Sequence, residues 1–241
     1  MKKTIILITM LLLTVLFLCA CGKKEEKKYA ESTNSVPTVL NSSEYILYQN
    51  IFQNGYAKQY DGKKVTKLGI FTTLYDAYNE RTRHYVWGHL DQTKCCDWQW
   101  EVLFDDTAEL PTNGSLVEIS GVFVSDERAL DGYWITDPSI NVLTKYTGKS
   151  ADVDMCTMSD TLEYVQLASV NTHGDVFEGK TVSAYGRIYD IENIQDPYYD
   201  GSWVTKFSSS DQLPAIGTSV ILRGTILSSV IADATIEIVV D

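Results

Sequence analysis

The chain repeats itself, and this constrains its architecture more than any other feature. Leu110-Pro-Thr-Asn-Gly-Ser-Leu-Val-Glu-Ile-Ser-Gly121 aligns without a gap on Leu213-Pro-Ala-Ile-Gly-Thr-Ser-Val-Ile-Leu-Arg-Gly224. Upstream, Tyr60-Asp-Gly-Lys-Lys-Val65 with Gly69 aligns on Phe177-Glu-Gly-Lys-Thr-Val182 with Gly186, and Trp100 and Phe104 stand as far before Leu110 as Trp203 and Phe207 before Leu213. Downstream, Ile135-Thr-Asp-Pro-Ser-Ile140 aligns on Ile231-Ala-Asp-Ala-Thr-Ile236. The lead-ins agree too: Glu44-Tyr45 and Glu163-Tyr164 each begin eleven residues before a glycine, Gly55 and Gly174. Blocks that recur in one order mark a duplication, so the folded part is two copies of one small unit.

Each copy opens on a helix signal and continues as strands. Asn41 with Glu44, and Ser159 or Asp160 with Glu163, have capping spacing. Leu47/Ile51 and Tyr48/Phe52 are i,i+4 apolar pairs, with Gly55 as the stop; the second helix reads as shorter and weaker. Val65–Tyr75 and Val182–Tyr189 are rich in β-branched and aromatic residues, each broken by a glycine that marks a bulge or sharp coil. His84–Leu90, Trp98–Phe104, Leu116–Val124 and Tyr133–Leu143 complete the first copy, and Val117, Ile119 and Gly121 alternate with Glu118 and Ser120 as in a half-buried strand. Five strands, the first long and glycine-bent, predict a mainly β chain of two tandem OB-like five-stranded barrels, each preceded by a short helix. An immunoglobulin-like sandwich wants about seven strands. The helix usual between OB strands three and four is missing, since only Asp105–Asn113 or Ser208–Ile216 lies there.

The ends place the chain. Lys2 and Lys3 precede an apolar run from Ile5 to Leu18, the layout of a secretory signal. The run falls short of the roughly 20 residues that span a bilayer. It ends in Leu18-Cys19-Ala20-Cys21-Gly22, which resembles a lipobox; the resemblance implies cleavage before Cys21 and lipid on that cysteine. The expected division is a signal peptide over 1–20, lipidated Cys21 and a flexible tether over 21–40, one OB-like domain over 41–146, a polar linker over 147–157, and a second domain over 158–241. The expected location is the outer face of a cell membrane, with the membrane as a partner through the anchor. Net charge is −12, and loss of Lys2 and Lys3 with the signal takes it to −14. An acidic surface repels phosphate backbones and argues against nucleic acid.

A family resemblance covers about residues 41–145. Gly62-Lys63 with Gly69, Asp91-Gln-Thr-Lys-Cys95-Cys96, Glu101-Val-Leu-Phe104 and a Gly-Ser-x-Val-x-Ile-x-Gly strand resemble uncharacterised Gram-positive-type bacterial lipoproteins with an OB-like domain and a Cys-Cys turn after the second strand. The resemblance implies a fold and a location and no activity.

Copies share what the fold needs, so features in one copy only are candidates for function. The first copy exceeds the second by 14 residues between Gly69 or Gly186 and the shared Leu-Pro, and the extra sequence holds Cys95 and Cys96 near His84, His89 and Asp91. Three readings of the pair stand: a strained vicinal disulfide suited to a redox role, a Zn²⁺ or Cu⁺ site with His84 or His89, or packing. Outside Cys19 and Cys21 the cysteines number three, which is no disulfide framework. Tyr85, Trp87, Trp98 and Trp100, among crowded aromatics that include Tyr75 and Tyr78, are candidate ligand-stacking residues on OB strands two and three; as strand residues they equally fill a barrel. His173 reads as a solvated loop residue. No nucleophile elbow or papain-type signature is present, no cofactor is implied, and the expectation is a non-enzymatic binding module for a glycan or surface protein.

Overall fold

The computed structural model describes residues 47, 48, 50, 51, 55–90, 97–105, 108–129, 131–195 and 204–239. The first copy is a closed barrel of β1 (Lys64–Asp76), β2 (Arg81–His89), β3 (Asp97–Val102), β4 (Leu116–Ser125) and β5 (Tyr133–Thr144), in the order β1-β2-β3-β5-β4. Closure comes from a short parallel pairing of β3 with β5, Glu101 on Trp134 and Val102 on Ile135. β1 is long enough to serve both sides of the barrel: Lys64 to Ile70 pair with β4, and Ile70 to Asp76 with β2. Alternation then sorts the side chains. Phe71, Val86, Trp98, Trp100, Val117, Ile119 and Phe123 share the barrel core. Leu47 and Ile51, from the segment ahead of β1, join the same cluster. Lys67 is also fully buried, its ammonium 5.1 Å from the Trp98 ring centroid and 5.6 Å from that of Trp100. The connection from β3 to β4 contains no helix among its described residues.

The second copy contributes β6 (Val153–Asp154), helix α1 (Asp160–Thr172), β7 (Thr181–Ile188), β8 (Asn193–Gln195), β9 (Val204–Lys206), β10 (Ser219–Leu227) and β11 (Val230–Ile238). Its sheet runs β11-β10-β7-β8-β9, with β6 parallel to β7 and one parallel bridge from Phe207 to Ile231. Repeated sequence adopts repeated backbone. Gly62 and Gly179 both turn the chain at positive φ, 75° and 78°, and donate to Phe123 and Ile226 carbonyls at 2.9 and 2.8 Å. Asp137 and Asp233 have φ of 48° and 51° and kink β5 and β11 beside register shifts. Gly121 and Gly224 lie opposite those kinks: a Cβ at Gly121 would sit 2.6 Å from the Thr136 carbonyl oxygen, and one at Gly224 2.5 Å from that of Ala232. Only glycine lets two backbones approach so closely.

Helix α1 is longer than its sequence signal indicated, 13 residues, because it is stabilised by packing more than by its own amphipathic pattern. Ser159 caps it, accepting from the Leu162 N–H, while buried Glu163 accepts the Tyr185 N–H of β7. Leu162, Leu167 and Val170 face one apolar cluster that also holds Ile70, Leu74, Tyr85 and Trp87 of the first barrel. Polar contacts fix the same junction. Gln166 pairs like a strand with the Tyr75 backbone, accepting its N–H at 2.9 Å and donating to its carbonyl at 3.4 Å. Trp87 Nε1 donates to the Thr157 carbonyl at 2.9 Å. Within the segment 147–157, residues 147–152 are exposed or half-buried, in keeping with their polar composition, and the remainder is not. Val153, Met155, Cys156 and Thr157 are buried and join the two copies.

Candidate functional site

The outer face of β2 and β3 carries the densest polar chemistry among the described residues. Register places Tyr85 beside Glu101 and Trp87 beside Gln99. Arg83, two residues before Tyr85, shares their face. Its guanidinium is 5 % exposed and lies between two carboxylates: Nε donates to Asp76 at 2.7 Å, and Nη1 reaches both Glu101 oxygens at 2.9 and 2.8 Å. Burial opposes the charge on Asp76, yet hydrogen bonds from Asn79 and Arg83 hold its carboxyl below the usual range.

Over this face fold the described residues of the β4–β5 connection, Asp126 to Ala129 with Asp131 and Gly132. The Arg128 carbonyl accepts from Arg81 Nη2 at 2.7 Å and Arg83 Nη1 at 3.2 Å. The Arg128 side chain is tied to Asp126 at 2.6 Å and stands over the Trp134 ring, 5.0 Å from its centroid. Asp131 comes down on Gln99. Burial pushes its carboxyl up to about 6, opposed by the Gln99 hydrogen bond and reinforced by Glu101. Burial likewise pushes the Tyr85 hydroxyl far above its ordinary value, with Glu101 and Asp131 adding to it. Tyr133, at the start of β5, accepts from Trp98 Nε1 at 2.6 Å and donates to the Gln99 carbonyl at 2.9 Å. At this face, four enclosed side-chain atoms keep no hydrogen-bond partner: Tyr85 Oη, Gln99 Oε1, Asp131 Oδ2 and Arg81 Nε.

The residues singled out in the sequence are distributed differently. Tyr85, Trp87, Trp98 and Trp100 are 0–2 % exposed, so none offers an open face for stacking. Trp98 and Trp100 point into the barrel, and Tyr85 and Trp87 lie beneath the second copy. His84 and His89 are five residues apart on one strand, so they face opposite sides. His84 packs between Phe71 and Phe104, where burial lowers its pKa, and His89 pairs with Asp97 at 2.7 Å on the outside. Cys21, Cys95 and Cys96 lie outside the described residues. Cys156 is buried, and no group of three or more His, Cys, Asp or Glu side chains gathers as a metal site among the described residues. His173 is not a solvated loop residue: it contacts the Tyr78 ring edge-on, 4.6 Å between centroids, with Nε2 enclosed.

The Arg83–Glu101–Asp131 face escaped sequence reasoning, although a signal existed. From Gly121 to Ile135 the first copy has twice the spacing that the second has from Gly224 to Ile231, and most of the excess lies in the Asp126–Gly132 connection. A cleft of about 400 Å³ also opens between Leu110-Pro111 and Ile140/Val142. The Leu-Pro pair and the Ile140 position belong to both copies, so that cleft is weaker ground for a copy-specific role. Compared with known proteins, no family model matches the chain, and no curated protein matches it.

Proposed function

We propose that the chain is a lipoprotein held through Cys21 to the outer face of a cell membrane, whose folded part is a non-enzymatic binding module for a surface glycan or protein. The folded part is a tandem of OB-like barrels, each with a helix ahead of its first strand, and the first copy is the one that binds. The lipobox supports the anchor. One structural observation supports the binding role: a loop absent from the second copy covers a buried charged network on the first barrel's β2–β3 face. Loops beside this face are where OB folds take oligomeric ligands.

Two measurements test this reading. Cys21→Ser should release the protein from membranes with its folded part intact; a mutant that still resists an alkaline wash is anchored by something else. The full-length protein in detergent should bind isolated cell-wall glycan or a surface protein saturably and release it unchanged. Turnover of the bound material would overturn the non-enzymatic reading. A thiol-redox or metal-handling role for Cys95 and Cys96 is the alternative, supported by the sequence, in which Cys96 directly precedes Asp97, the partner of His89. Intact mass after alkylation, with elemental analysis, decides it.

A further inference from the structure

The four unpartnered atoms beneath the β4–β5 loop describe what they lack. Tyr85 is fully buried and Gln99 is 6 % exposed, so leaving their polar atoms unsatisfied is unfavourable by about 1–3 kcal/mol each. The atoms belong to one neighbourhood. Asp131 bonds Gln99 and feels Glu101, Tyr85 feels Asp131, and Arg81 reaches Glu101 at 3.6 Å while donating to the loop carbonyl of Arg128. They come from β2, β3 and the loop.

Their remaining capacity is mixed. Tyr85 Oη and Arg81 Nε have hydrogens to donate, whereas Gln99 Oε1 and the Asp131 carboxylate can only accept. An ammonium ligand would satisfy the acceptors and leave Arg81 Nε unpaired. A carboxylate or phosphate would satisfy the donors and meet Asp131 with like charge. Neighbouring hydroxyls, each of which donates and accepts, satisfy both kinds at once. An anion would also find no spare counter-charge, because the two guanidiniums Arg81 and Arg83 already face the two carboxylates Asp76 and Glu101.

We infer that Tyr85, Gln99, Asp131 and Arg81 form a site for vicinal hydroxyls of a neutral sugar, closed by Arg128 and Asp131 of the β4–β5 loop. This rests on the reading of the first copy as a glycan-binding module and names its ligand chemistry. The four atoms are enclosed, so entry requires the loop to lift, breaking the Arg81 and Arg83 bonds to the Arg128 carbonyl. The loop is fastened there by those two hydrogen bonds and by the Arg128–Trp134 contact.

The test uses the full-length protein in detergent with methyl α-glucopyranoside as probe, followed by saturation-transfer NMR. Transfer to the sugar protons is expected, with affinity about tenfold weaker in Tyr85→Phe, which removes a single oxygen, and in Asp131→Ala, which alters only the loop. Excess methylammonium chloride or sodium acetate should leave the transfer unchanged. Displacement by either salt, equal affinity in both variants, or an ordered water at the site with no transfer would each overturn the assignment. Retained binding to cell-wall glycan alongside such a result would show that the module reading stands and only this site is wrong. Loss of both would remove the module reading as well.

Discussion

Between the fourth and fifth strands of the repeat, the two copies solve one problem in two ways. The second copy turns from β10 to β11 through Ser228 and Ser229 alone, at φ of 49° and 62°, as a two-residue hairpin with positive φ at both positions requires. The first copy inserts Asp126–Gly132 between β4 and β5. The short turn works, so the long loop is not needed to close the sheet. Its residues instead reach sideways over β2 and β3, where the Arg128 carbonyl and the Asp131 carboxyl meet Arg81, Arg83 and Gln99. The frame is shared, and the loop and its charged floor are what one copy has in excess.

The largest expected effect lies in that excess. Arg83→Ala leaves Glu101, 2 % exposed, without its main counter-charge, and should destabilise the protein by about 3–5 kcal/mol in chemical denaturation. A loss below about 1 kcal/mol would mean that water enters the face and the network is not buried as described. Next comes the shared frame. Gly121→Ala and Gly224→Ala each drive a methyl against backbone and isoleucine, Ile135 in one copy and Ile231 in the other, and each should cost about 1–3 kcal/mol. Unequal losses would break the equivalence of the two kinks. Gln166→Ala leaves the Tyr75 N–H and carbonyl without their side-chain partner and should cost about 1–2 kcal/mol. Because the apolar cluster runs through both copies, the full chain should still melt in one transition; two transitions would mean that the copies unfold independently.

The smallest effect is a pH dependence with one contributor in each copy. Asp131 and Asp154 are both raised to about 6, each chiefly by burial, with a Ser183 hydrogen bond opposing the shift at Asp154. A raised folded pKa favours the protonated folded state, so this contribution is present at low pH and is lost as pH rises through about 6. Stability should therefore increase on the order of 1 kcal/mol per aspartate between pH 7.5 and 5. Below the ordinary aspartate value of 3.8 it should fall again as Asp76, held low in the fold, takes up its proton. Asp131→Asn and Asp154→Asn should each remove part of the rise. A flat profile from pH 7.5 to 5 would contradict the burial of both groups.

The repeat made the strands legible because each copy corroborates the other: Gly121 and Gly224, or Asp137 and Asp233, recur in sequence and do the same work in the backbone. Alternation gave the first barrel nearly to its ends. The junction was less legible. Val153, Met155 and Cys156 are too few and too irregular to register as a strand, and only packing against β7 and the first barrel reveals why they are apolar. The site was less legible still. Aromatic residues are conspicuous in a sequence, so Trp98 and Trp100 attracted a binding role, although a barrel this small needs their volume inside. Arg83 and Glu101, 18 residues apart, meet only because β2 and β3 pair in one register, and no spacing announces that.

Exchanging the loop tests most directly the claim that the first copy binds because of what it has in excess. Replacing Asp126–Gly132 with Ser-Ser copies the turn that already serves β10 and β11, and binding of the full-length variant to isolated cell-wall glycan is then compared with that of the original chain. The account predicts a folded protein with one melting transition, retained membrane anchoring, and loss of binding. Undiminished binding by that folded variant would contradict it and move the functional surface away from the loop.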